Sequence, residues 1–305
     1  MRLKKTILVL LLALFVGVVG VGIVGCEKID DSGEPNEPLT KVDCSFTVMS
    51  YNVRTLNIDL SETRNPNDDI SVRGPLMISE IRKADPDIIG VQEWLFAHEA
   101  AMLNELNDDY EYIAVSRDGS IIGEMCAILY KSERFELVDT HTYWVSETPE
   151  VKSKGWDAKL YRICTVANLK DKKNGKVIRF GNVHLDNVAK LASENGTKLV
   201  IDRAVASEYP AIQVGDFNYD ITSKNYEYCI ENMDDARLVA PNAFTTSTYN
   251  GWNEKKIMDG GNPIDHCLVT KDAFNILSYE VYSHKVDGLF ASDHFPVVIK
   301  MELKD

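Results

Sequence analysis

The chain has 305 residues, 45% hydrophobic and 26% charged, with a formal net charge of −14. This composition excludes a disordered or low-complexity protein and leaves ample apolar material for a packed core. The acidic balance argues against a dedicated duplex-DNA binder, because phosphates repel such a surface and the sequence displays no basic patch.

At the N-terminus, Arg2, Lys4 and Lys5 precede an apolar run from Ile7 to Val24 that ends "IVGC" at Cys26. The run approaches the roughly 20 residues that a membrane span requires. Small Gly25 before Cys26 and the acidic, Pro-containing "EKIDDSGEPNEP" after it resemble instead a bacterial lipoprotein signal. That resemblance implies cleavage before Cys26, acylation of its thiol, and an extracytoplasmic protein anchored in the outer membrane or at the cell surface. Residues 1–25 then form the signal, 26–43 a lipidated linker and 44–305 the folded domain. Residues 1–25 carry three positive charges and no negative ones, so cleavage takes the net charge from −14 to −17.

Beyond the linker, β-branched and aromatic runs predict strands at 46–53, 87–93, 110–115, 126–131, 163–169, 177–185, 211–217, 266–270 and 295–301. Helical patterns are expected around 75–84, 97–107, 195–208 and 224–232. No repeat or second linker divides the chain, so one α/β domain is expected, as a monomer. Strands and helices do not alternate regularly, which disfavours a doubly wound parallel sheet and favours two sheets packed face to face between helices. The six cysteines, Cys26, Cys44, Cys126, Cys164, Cys229 and Cys267, are widely spaced with no CxxC pair, and no obligatory disulfide is expected.

Several strands share one habit, an apolar stem followed by a polar group at the exit. In "AIQVGDFNYD" (211–220), Asp216 and Asn218 follow a buried-type strand. Asn52 follows "MSY", Glu93 follows "DIIGVQ", His184 sits in "GNVHLD", and Asp293 with His294 precedes "FPVVI". Singly, each reads as a polar strand end, a turn former or a solvated His–Asp pair. Converging, they would line a pocket able to bind a hard cation and move a proton.

The ordered segments "MSYNVR", "PDIIGVQE", "WVSETPE", "VHLD", "VGDFN", "PIDH" and "SDHFPV" resemble the endonuclease/exonuclease/phosphatase superfamily, the DNase I-like metallophosphoesterases. The resemblance covers nearly the whole chain from about residue 45. It implies a four-layer α/β sandwich, two packed and mostly antiparallel sheets flanked by helices, with the active site at one rim. It further implies Mg²⁺ (or Mn²⁺ or Ca²⁺) held chiefly by Glu93, with Asn52 and Asp293 completing or supporting the site. His294 is expected as general base oriented by Asp265, Asp216 and Asn218 as positioning groups, and His184 as donor to the phosphoryl group. Arg117 and Arg162 are candidate phosphate contacts, Arg162 with an equally plain reading as a partner of one of the many carboxylates.

The expected reaction is phosphoester hydrolysis by in-line attack of an activated water. The expected substrate is a small organic phosphate or a lipid head-group phosphodiester. No stable nucleic-acid partner is expected, although an extracellular nuclease is the alternative and a catalytically silent binding protein a more distant one. Three departures from the superfamily pattern bear on substrate contacts: His266 where an aromatic is common, "NVAKLASENG" (187–196) where a longer helix with an Arg is usual, and Arg54. In the branch specialised for abasic DNA an acidic or amide group commonly stands at the position of Arg54, which disfavours that branch.

Overall fold

Alternation along the first strand sets up the layering. In β1 (Phe46–Asn52), Phe46 and Val48 enter an apolar layer between two sheets, while Met49 and Tyr51 enter another beneath helices. The structure, a computed structural model, describes residues 43–56, 69–106, 108–242, 245–253 and 261–304. Cys26, the expected signal and most of the expected linker lie outside the described residues.

After β1 come α1 (Ile70–Ala84), β2 (Ile88–Trp94), α2 (Phe96–Leu106), β3 (Tyr110–Ile113), β4 (Met125–Lys131) and β5 (Phe135–Trp144). Then follow β6 (Ile163–Asp171), β7 (Val177–His184), α3 (Lys190–Val205), β8 (Ala211–Asp216), α4 (Lys224–Asn232) and β9 (Asp234–Asp235). The last elements are α5 (Ala236–Val239), β10 (Asp265–Val269), β11 (Phe274–Val281) and β12 (Val297–Leu303). One six-stranded sheet has the order β11-β12-β1-β2-β4-β3 and the other β5-β6-β7-β8-β10-β9. Each is antiparallel except for one central parallel pair, β1/β2 and β7/β8. Parallel neighbours need a crossover, which α1 and α3 supply.

The inner faces meet in one core, where Val48, Ile88 and Ile128 from the first sheet face Phe180, Ile212 and Val214 from the second. Met77, Ile81, Met102 and Leu106 of α1 and α2 cover the outer face of the first sheet, and Val200, Ile201, Ala204 and Cys229 of α3 and α4 that of the second. This is the expected four-layer α/β sandwich. Toward one end of the core a polar layer interrupts it. Gln92 Nε2 donates to Asn182 Oδ1 across the sheets (2.7 Å), and Asn182 Nδ2 donates to the Val91 and Ala127 carbonyls (2.9 and 2.7 Å). Both side chains are fully buried, and these bonds offset much of their desolvation.

Two helices start earlier than their sequence pattern suggests, each for a nameable reason. Asp69 caps α1 by accepting from Ser71 N (2.9 Å), so Pro75 lies inside the helix rather than opening it. For α3 the cap is non-local: Asp157 accepts from Leu191 N and Ala192 N (3.2 and 2.8 Å). Strands β5 and β11 and the two-residue β9 were not expected. β5 is a sheet edge, and its central stretch, Glu136–His141, is largely exposed and polar.

Beneath α1, the Tyr51 hydroxyl donates to Glu80 Oε2. Burial pushes the Glu80 carboxyl up to about 7, against smaller opposing effects of Tyr51 and Lys83. A raised carboxylate pKa means that the folded state holds the proton more tightly than the unfolded one. The associated stability is therefore complete below about pH 4.5 and is lost as pH rises through 7. The predicted loss is about 3 kcal/mol at most. Glu80→Gln should leave stability at pH 4 nearly unchanged and raise it at pH 8, read as urea midpoints at the two pH values. An equal shift at both would show that Glu80 does not carry this dependence.

Candidate active site

Both parallel pairs end at the same rim. Asn52 closes β1, Glu93 lies one residue before the end of β2, and His184 and Asp216 close β7 and β8. Pairing registers place Asp216 between His184 on one side and Asp265, the first residue of β10, on the other. Glu93 sits where the β2–β4 register slips between Val91 and Trp94 and has φ +59°, a left-handed conformation costly for a non-glycine residue. The bulge re-aims the carboxylate into the site. Gly215 serves a close approach within the strand, since a Cβ there would lie 2.0 Å from the Val183 carbonyl oxygen. The turn follows it, with Asn218 at φ +57°.

The side chains interlock. Asn52 Nδ2 donates to Glu93 Oε1 and to Asp216 Oδ2, both at 3.0 Å, tying the two sheets together. Its Oδ1 accepts from Arg54 N (2.9 Å), which fixes the amide orientation. Glu93 Oε2 accepts from Thr55 N (2.5 Å). Burial raises the Glu93 pKa, but the donors Thr55 N and Asn52, with the charges of His294 and Arg54, together hold the carboxyl below its usual range.

His294 Nδ1 faces Asp265 Oδ2 at 2.9 Å and its Nε2 faces Asp216 Oδ2 at 3.7 Å. Burial works against charge on this ring, yet Asp265, Asp216 and then Asp293 prevail and push it up to about 10. Burial pushes Asp216 up to about 7, with His294 opposing and Asp265 reinforcing. His184 is the opposite case: burial and then Arg162 and Arg117 hold it well below the usual histidine range, so it is neutral.

Asp293 and Asn218 also line this cleft of about 400 Å³, together with Arg54, Arg117, Glu124, Arg162, Asn187 and Tyr249. Of the residues expected from the sequence, Cys26 lies outside the described residues, Asn52 stands behind Glu93 and Asp216 and Asp265 behind His294, and the others line the cleft. Arg117 pairs with Glu124 at 2.7 Å, and Arg162 approaches Asp186 at 3.6 Å, so both cations have carboxylate partners at the rim. Arg54 Nη1 lies 3.7 Å from Asp293 Oδ2. The Arg54 backbone is held at φ +57°, where its carbonyl accepts from Arg73 Nη2 and His98 Nε2, both at 3.1 Å.

The segment 245–253 carries no catalytic motif, and sequence reasoning missed it. Thr248 Oγ1 accepts from Ile264 N and Asp265 N (3.0 and 3.1 Å), Asn250 Nδ2 donates to the Ser292 carbonyl (3.0 Å), and the Tyr249 ring lies 4.9 Å from that of His294. Its cluster of turn formers and aromatics, "TSTYNGW", was the available signal.

The donor set suits a hard divalent cation. Ligand atoms of Glu93, His184 and Asp216 lie within 4.8 Å of one another, as do those of Asp216, Asp265 and His294. Buried Oδ1 atoms of Asp293 and Asp265 have no hydrogen-bond donor among the described residues. Oxygen-rich, partly unsatisfied sites of this kind take Mg²⁺, Mn²⁺ or Ca²⁺.

A helix-flanked pair of mixed sheets with carboxylates, amides and two histidines at one rim defines the DNase I-like class of metal-dependent phosphoesterases. The chain belongs to the Endonuclease/Exonuclease/phosphatase family, whose profile it matches over residues 49–294. It is similar to an endonuclease/exonuclease/phosphatase family protein from Bacteroides thetaiotaomicron, at 32% identity, TM-score 0.78, over 86% of this chain and 98% of that one. It is also similar to a mannosyl-6-phosphatase from Bacteroides thetaiotaomicron, at 32% identity, TM-score 0.72, over 85% and 100% of the two chains. Human nocturnin's catalytic domain, at 16% identity and TM-score 0.64 over 85% and 95%, shares the fold. No curated protein sequence matched.

Proposed function

We propose that this chain is an extracytoplasmic phosphatase, anchored through a lipid on Cys26, that hydrolyses a small organic phosphate, with a phosphorylated sugar as the favoured substrate class. The observation that carries the reading is the cleft of about 400 Å³ in which acidic and imidazole groups face Arg54, Arg117 and Arg162. Its modest size suits a small phosphate, and the similarity to a mannosyl-6-phosphatase supports a sugar. Glu93 would hold Mg²⁺, with Asp293 contributing and Asn52 orienting the carboxylates. The cation, when bound, polarises a phosphoryl oxygen and offsets charge developing in the transition state.

The remaining chemistry belongs to the side chains. His294 faces a carboxylate from each ring nitrogen, so it carries a proton on both and supplies positive charge. Asp216 then accepts the proton of the attacking water, an exchange of the roles that the sequence pattern suggested. Neutral His184, 3.6 Å from Asp216, donates to the phosphoryl group, and Arg54 faces its remaining oxygen. Asn218, whose N–H donates to Asp216 Oδ1 at 2.8 Å, keeps that carboxylate aimed at the water.

The test is turnover of 4-nitrophenyl phosphate, mannose 6-phosphate, bis-4-nitrophenyl phosphate, sphingomyelin and plasmid DNA, each with Mg²⁺ and with EDTA. Monoesters should give the highest kcat/KM, EDTA should abolish turnover, and Cys26→Ser should leave the membrane fraction. A preference for plasmid DNA would replace this reading with that of an extracellular nuclease.

A further inference from the structure

A larger cavity, about 720 Å³, lies between α3 and α4. Asn187 and Asn218 line both it and the catalytic cleft, so the two meet at these residues. Arg162 marks the side of the cleft on which the groove opens, with Nη2 3.4 Å from Asn187 Oδ1.

The groove walls are polar and nearly balanced in charge. Lys190, Lys198 and Lys224 are set against Asp186, Glu194, Glu227 and Glu231. Lys198 is paired with Glu194 at 2.9 Å, which removes it as a free cation. A groove that follows a nucleic-acid strand presents excess positive charge and stacking platforms, and an acyl chain requires apolar walls. Neither description fits. The polar side chains along the groove instead match hydroxyl groups: Asn225 Nδ2 of α4 donates to Ser193 Oγ of α3 (3.0 Å), and Thr197 Oγ1 of α3 donates to the hydroxyl of Tyr219 in the turn after β8 (3.0 Å). Tyr219 and Tyr228 add aromatic surface. Pockets of roughly 300–1,000 Å³ hold molecules of drug size, larger than one sugar ring.

We infer that the α3–α4 groove binds the uncharged polyhydroxy part of the substrate, so that the substrate is a phosphorylated oligosaccharide rather than a free sugar monophosphate. This rests on the phosphatase reading above and specifies its substrate. In the reaction the water oxygen bonds to phosphorus, the bond from phosphorus to the sugar oxygen breaks, and that oxygen takes up a proton. Inorganic phosphate leaves the cleft, and the dephosphorylated saccharide leaves the groove.

The experiment compares kcat/KM for a hexose 6-phosphate with that for a di- and a trisaccharide phosphorylated at a primary hydroxyl, using 4-nitrophenyl phosphate as reference. The trisaccharide phosphate should exceed the monosaccharide phosphate by about 10-fold or more, as expected for a handful of added polar contacts. Ser193→Trp from α3 and, independently, Glu227→Trp from α4 should fill the groove and collapse that ratio. Calorimetry with the unphosphorylated trisaccharide should show binding to the wild type and a loss in the tryptophan variants. Equal kcat/KM across saccharide lengths in an enzyme active on monoesters would overturn the groove assignment. Failure to hydrolyse any monoester with Mg²⁺ present would overturn the phosphatase reading itself.

Discussion

His294→Ala should lower kcat on 4-nitrophenyl phosphate by about 10³-fold or more, the scale of losing a buried positive charge together with the ionised state of the proton acceptor Asp216 that it supports. The ring is buried between Asp265 and Asp216, so its loss leaves two buried carboxylates without their shared cation. Asp216 would take up a proton more readily and would cease to accept one from water near neutral pH. Removing one member of a buried charged pair destabilises by about 3–5 kcal/mol, a figure reduced here to the extent that Asp216 becomes neutral. The variant must therefore be assayed below its own melting transition, with far-ultraviolet circular dichroism to confirm folding. His141→Ala is the control, because His141 is half-exposed on β5, outside the cleft, and pairs with Glu150. A tenfold or smaller loss for folded His294→Ala would remove this residue from the chemistry.

Glu93→Gln should cost a comparable factor in kcat and also weaken Mg²⁺ or Mn²⁺ binding by about 100-fold or more, measured by isothermal titration. The substitution keeps the shape and removes the charge. Both Glu93 oxygens accept hydrogen bonds, from Asn52 Nδ2 and Thr55 N, so a glutamine must turn its NH₂ toward one of these donors. The folded state is thereby weakened at the bulge as well as at the cation. Unaltered metal affinity would move the cation to the neighbouring cluster of Asp216, Asp265 and His294.

Much of this site was readable because β1, β2, β7 and β8 are buried on both faces, and a polar side chain at the end of such a strand stands out. Asn52, Glu93, His184 and Asp216 are of this kind. The layered fold was readable from the same runs. Features that depend on distant partners were not. The start of α3 depends on Asp157, more than thirty residues earlier, and β5 carries an exposed, charged pattern that propensity reads as loop. Tyr249, Thr248 and Asn250 act through contacts to residues 264–265 and 292–294, which nothing local in their sequence announces. Arg54 was noticed as a departure, but its left-handed backbone and the two donors on its carbonyl were not legible.

The amide bridge between Gln92 and Asn182 acts as a gauge of distance. Each immediately precedes the carboxylate or lies two residues before the histidine that its own sheet brings to the rim, Glu93 in one case and His184 in the other. A slip of either strand by one residue would break the bridge and turn a ligand away at the same time. Catalytic competence is therefore indivisible: Asn52 and Glu93 belong to one sheet, His184, Asp216 and Asp265 to the other, and the Glu93, His184 and Asp216 cluster spans both. Folding order follows from this, since any ion captured by Glu93, His184 and Asp216 together can act only after the two sheets have docked.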